Sequence, residues 1–211
     1  MEIHHPDAPI HSIKEFLVHL SLVTIGILIA LALEGAVAAL HHRHLVAEAE
    51  ENMQTEIADN RSQLEAALAR APLAEDELKA AIRTITMERT RTNKTDSDHP
   101  FAFGFAVVRL RSTAWETAKA IGAVSYMSYS EAKRFTDVYL LQEELLKLQD
   151  QTLQKWIGLQ RLSYSLEPAV LAHFSDQQLS ELTQQVMETY SYTNTEISFA
   201  KRLDQEYAKF H

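Results

Sequence analysis

The residues best suited to chemistry are histidines. Ten occur in 211 residues, and six of them flank one apolar stretch: His4, His5 and His11 before it, His41, His42 and His44 after it. On a helix, His41, His44 and Glu48 fall at i, i+3 and i+7, so one face would offer two imidazoles and a carboxylate to zinc or a similar metal. The competing reading is an interfacial tract, because imidazole rings are amphipathic and titrate near neutrality. His19, inside the apolar stretch, carries a donor atom of the kind that ligates a haem or chlorophyll-type pigment. It stands without a paired motif, so no cofactor is expected. The chain has no cysteine, which removes disulfides, Cys-ligated metals and thiol catalysis. It also lacks a G-x-S-x-G elbow, a phosphate-binding G-x-x-x-x-G-K-S/T loop, an H-E-x-x-H helix and a G-x-G-x-x-G turn, so no enzyme is expected. Glu143 and Glu144 read as solvated carboxylates, Asn93 to Thr95 as a coincidental glycosylation sequon, and Trp115 and Trp156 as core anchors or interface residues in preference to a cofactor box.

The elements that would hold these residues begin with the apolar stretch itself. Phe16 to Leu33 contains no Asp, Glu, Lys or Arg, and 18 residues at about 1.5 Å each reach roughly 27 Å, close to a hydrocarbon core of about 30 Å. The run is longer than the apolar core of a cleaved secretory signal, about 7 to 15 residues, although Ala36 to Ala38 offers a small-residue pattern of the kind cleaved. A retained transmembrane helix over 13–40 is therefore expected, after a short segment 1–12. Within it His19, Val23, Gly26, Ala30 and Glu34 share one face. Gly26 and Ala30 form the small-xxx-small spacing that admits a second helix backbone, and Glu34 must reach the headgroups or a partner. One basic residue flanks each side, Lys14 and Arg43. The free amino terminus tips the balance towards a cytoplasmic N-terminus.

Residues 41–211 form the expected water-facing domain. Only five Gly and five Pro occur, too few for a many-stranded sheet, so the fold class is all-α: the transmembrane helix continues into a stalk that joins an antiparallel helical bundle. From Ala36 to Ala71 no Gly or Pro intervenes, and Val46, Met53, Ile57, Asn60, Leu64 and Ala67 mark a packing stripe on which Asn60 would fix register. Pro72 is expected to end the rod, and 73–91 to form a second helix followed by a turn-rich loop. Phe101 to Val108 alternates aromatic and small residues, the period of an extended segment. Capping boxes are read at Thr113 with Glu116, Ser128 with Glu131, and Ser175 with Gln178. The second opens a helix expected to run on to Pro168. The third opens a last helix with the stripe Leu179, Leu182, Val186, Tyr190, Ile197, Ala200, Leu203, Tyr207 and Phe210.

The segments EFLVHLSLVTIGILIALALE (15–34), MQTEIADN ending at Asn60 and STAWETAKAIGAV (112–124) resemble a bacterial family of single-pass membrane proteins. In that family an I-G-I-L-I-A-L-type anchor leads into a long helix ending E-I-x-x-N, and a Trp/Gly helix precedes a final helical pair. The resemblance implies this topology and a location in a bacterial inner membrane. The family has no assigned activity, so no catalytic residue is carried over.

With 20 Lys and Arg against 29 Asp and Glu, the net charge of −9 disfavours nucleic acid as a partner. The expected partners are the lipid bilayer and other integral-membrane subunits or a second copy, with no small-molecule substrate identified. The expected role is an accessory or scaffold subunit of a larger membrane complex, photosynthetic or respiratory, or a self-assembling protein, with residues 41–211 in the periplasm. The alternative is a metal-binding or sensor module built on the juxtamembrane histidines.

Overall fold

A computed structural model describes residues 13–90, 106–162 and 166–210. Among them every regular element is helical and there is no strand. The elements are α1 (Ile13–Leu68), α2 (Ala71–Thr90), α3 (Thr113–Ala120), a 3-10 turn (Ala123–Tyr126), α4 (Tyr129–Arg161), a short α5 (Pro168–Leu171), α6 (Asp176–Tyr207) and a closing 3-10 turn (Ala208–Phe210). The chain forms two compact units, Met1–Glu48 and Ala49–His211, and α1 contributes residues to both.

In the first unit α1 is helical throughout and buries nothing. Fifteen large apolar side chains between Ile13 and Leu40 are exposed, from 49% at Phe16 to 82% at Ile13. At about 1.5 kcal/mol or more for each such side chain, leaving them in water forfeits on the order of 20 kcal/mol, more than the roughly 5–15 kcal/mol that holds a domain folded. This helix is long and apolar enough to cross a membrane. Ser21 and Thr24 return their hydroxyl protons to the carbonyls of Leu17 and Leu20, at 2.8 and 2.7 Å, so these two polar side chains are satisfied within the helix.

The second unit is a helical bundle. Its α1 stripe buries Met53, Ile57, Asn60 and Leu64, as the spacing predicts. The helix ends at Leu68, before Pro72, with a turn at Ala69 and Arg70. Pro72 lies in the first turn of α2, where its missing N–H would have had no helical partner. Cross-links fix the directions. Glu56 and Asn60 of α1 meet Tyr139 and Gln142 of α4, so those helices run parallel. Tyr207 meets Gln142, and Trp156 meets Thr193, so α6 runs antiparallel to α4.

Two capping boxes form as read: Ser128 accepts from the Glu131 amide while Glu131 accepts from the Ser128 amide, and Ser175 and Gln178 do the same. The third does not. Thr113 is the first helical residue of α3, the flanking Ser112 makes no cap bond, and its hydroxyl instead accepts from Gln142 Nε2 at 2.9 Å. Glu116 turns to Lys119. Gly122 closes α3 at φ 77°, the left-handed conformation that glycine adopts without a Cβ penalty. The helix opened by Ser128 ends at Arg161, not at Pro168. Pro168 instead begins α5, consistent with its tolerance at a first helical position and its clash inside a helix.

Candidate functional site

The expected sites on α1 are laid out along its surface. His19, Val23, Gly26, Ala30 and Glu34 are all exposed on one face, with His19 Nδ1 hydrogen-bonded to the Glu15 carbonyl at 3.2 Å. Beyond the local backbone of its own helix, no atom lies within 4 Å of the position a Cβ on Gly26 would take, so the small-residue face is open to a neighbour. His41, His44 and Glu48 follow one another on α1, also exposed, and the rings of His41 and His42 lie 6.1 Å apart. Among the described residues no three His, Asp or Glu side chains gather closely enough to hold a metal. His4, His5, His11, the sequon at Asn93 and the rings of Phe101, Phe103 and Phe105 lie outside the described residues.

The densest chemistry lies in the bundle, where helix side chains complete an extended backbone. Residues 106–112 take no regular secondary structure, so their peptide groups need partners from elsewhere. Gln149 supplies both for Val108: its Oε1 accepts from the Val108 amide at 2.8 Å and its Nε2 donates to the Val108 carbonyl at 3.1 Å. Asn60 does the same for Arg111, at 2.8 Å from the amide and 2.7 Å to the carbonyl. That carbonyl also takes the Gln142 amide at 3.0 Å. Glu56 accepts the Ala114 amide at 3.0 Å on one oxygen and the Tyr139 hydroxyl at 2.9 Å on the other. Tyr207 closes the set by donating to Gln142 Oε1. Side-chain amides thus stand where a neighbouring strand would.

Burial is nearly complete, with Asn60, Gln142 and Tyr207 at 0% exposure and Gln149 at 4%. Both tyrosines are held above their ordinary pKa. Burial is the main cause for each, with the Glu56 carboxylate adding to it. They therefore remain protonated donors. Each polar atom in this cluster meets a partner, a pattern that fixes one arrangement of a core.

Glu196 on α6 differs. It is 8% exposed, its Oε2 meets no partner, and burial pushes its carboxyl up to about 7 despite a contact with Thr152. The Thr152 hydroxyl also donates to the Leu148 carbonyl at 3.0 Å. Glu50 on α1 also keeps a buried oxygen without a partner. Burial first, then Glu131, raises its pKa against the pull of Arg134.

No family model, no curated protein and no solved structure matches the chain. Its role is therefore read from its own residues. Glu56, Gln142, Gln149, Thr193 and Glu196 escape a reading of apolar positions alone. Helical spacing would have found them, because each continues a buried stripe: Gln142 lies one turn from Val138, Gln149 four residues after Leu145, and Glu196 four residues before Ala200.

Proposed function

We propose that the chain is a single-pass protein of a bacterial inner membrane, with its N-terminus in the cytoplasm and residues 41–211 in the periplasm. There it serves as a helical accessory or scaffold subunit of a larger integral-membrane complex, photosynthetic or respiratory, or as a unit that assembles with itself. The observation that supports this reading is the run of fifteen exposed large apolar side chains on α1, a surface that needs lipid, a partner helix or both. The open face at Gly26 and Ala30 favours a helix as part of that cover. Such close packing does not require the water-facing unit to act on a substrate.

Solubilising native membranes in a mild detergent and identifying what migrates with the chain tests this proposal. Co-migration with integral-membrane subunits, or a homo-oligomer, is the expected result. A lone 23.9 kDa species would contradict it. Replacing Gly26 and Ala30 with Leu should weaken the association. Because cysteine is absent, a single Ser180→Cys at an exposed α6 position reports the side. Labelling by a membrane-impermeant maleimide from the periplasm is expected, and labelling only after the inner membrane is opened would reverse the orientation.

A further inference from the structure

Glu196 borders a cavity of about 300 Å³. Its walls are mostly apolar, including Leu64, Leu68, Ala74, Val108, Leu145 and Ile197. The polar lining is Arg70, Glu77, Thr193 and Glu196. Arg70 is exposed and Glu77 half-buried. Thr193 is saturated, donating to the Thr189 carbonyl at 2.8 Å and accepting from the Trp156 indole at 3.0 Å. This leaves Glu196 Oε2 as the buried polar lining atom with no partner among the described residues. Native interiors leave few such atoms without a hydrogen-bond partner, and 300 Å³ is the lower end of the range for small-molecule sites.

We propose that this cavity binds a small apolar molecule carrying an amino group, its ring or alkyl part against the leucines and its nitrogen donating to Glu196 Oε2. The choice of ligand follows from the lining. A carboxylate ligand would meet the Glu196 and Glu77 carboxyls, which outnumber Arg70. A hydroxyl would satisfy Oε2 but bring no countercharge once the carboxyl gives up its proton, and a buried carboxylate costs several kcal/mol unless it is paired. An ammonium supplies both the donor and the charge. A water molecule would meet the oxygen and leave the apolar walls wet. The cavity lies wholly within the second unit, so this inference stands apart from the membrane role proposed above.

The test uses the full chain in phosphatidylcholine nanodiscs, with 4-fluorobenzylamine followed by fluorine NMR and empty nanodiscs subtracted for partitioning. The comparison probes are 4-fluorotoluene, which keeps the shape, and 4-fluorobenzoate, which reverses the charge. The amine should bind saturably and at least tenfold more tightly than either. Glu196→Gln should lower amine affinity at least tenfold while leaving the toluene unchanged, and Ala200→Phe should fill the cavity and abolish both. Circular dichroism melting establishes that each variant is folded. Should Ala200→Phe fail to fold, the Glu196→Gln comparison decides alone. Absence of saturable binding, equal affinity for amine and toluene, or an unchanged affinity in Glu196→Gln would overturn the proposal.

Discussion

The two ends of the bundle are held together by different means. Where the C-terminal half of α4 meets α2, α5 and α6, the core is a dry cluster built on Leu78, Ile85, Trp156, Leu166, Leu171 and Val186. About 21 Å back along α4 from Trp156 to Gln142, the centre is instead Asn60, Gln142 and Tyr207, as deeply buried as those leucines but bound by hydrogen bonds. In the first region volume decides stability. In the second the shape of the side chain is secondary to whether the peptide groups of 108–114 find partners. The difference teaches that helices can enclose an extended segment by lending it side-chain amides, where among the described residues no strand pairs with it.

Truncation of the dry end should have the largest effect. Leu78→Ala removes a fully buried side chain and should cost about 3–4 kcal/mol through lost transfer energy and the cavity left behind. It is read as a lower urea midpoint for the full chain in nanodiscs. At the polar end, Asn60→Leu keeps the volume yet strands the Arg111 amide and removes a donor from Gln142. A loss of about 3 kcal/mol is expected. If this apolar swap proved neutral, the hydrogen-bonded end would be no different in kind from the leucine cluster.

Between the two ends, Glu196 supplies a pH dependence. Its carboxyl is raised from an ordinary 4.5 to about 7, so the folded state binds the extra proton. The added stability is full below pH 4.5 and is lost as pH rises through about 7. In size it is about 3 kcal/mol. Subtracting the profile of Glu196→Gln from that of the native chain isolates it. A flat difference between pH 4.5 and 8 would mean that the oxygen is solvated or paired.

How far the sequence reveals these features depends on the range of the interaction involved. The boxes at Ser128 and Ser175 close within four residues, so their residue types suffice. The box at Thr113 does not form because Ser112, not Thr113, takes the N-cap position, and the Ser112 hydroxyl is held by Gln142, 30 residues away. Asn60 stands out in the sequence as a polar residue on an apolar stripe, a position expected to fix register. That it clamps the Arg111 backbone is visible only once 51 intervening residues have folded back. The extended character of 106–108 could be read from alternation, whereas its amide partners could not. Glu196 lies on a stripe whose apolar members were recognised, and its isolation depends on the α1–α2 corner that frames the cavity.

The contrast between the apolar first unit and the folded second one carries the whole account, and alkaline carbonate washing of membranes from cells expressing the chain tests it most directly. The full chain should stay in the membrane pellet, while a chain starting at Ala49 should appear in the aqueous wash with helical circular dichroism. Recovery of the full chain in the wash would contradict the membrane role of α1.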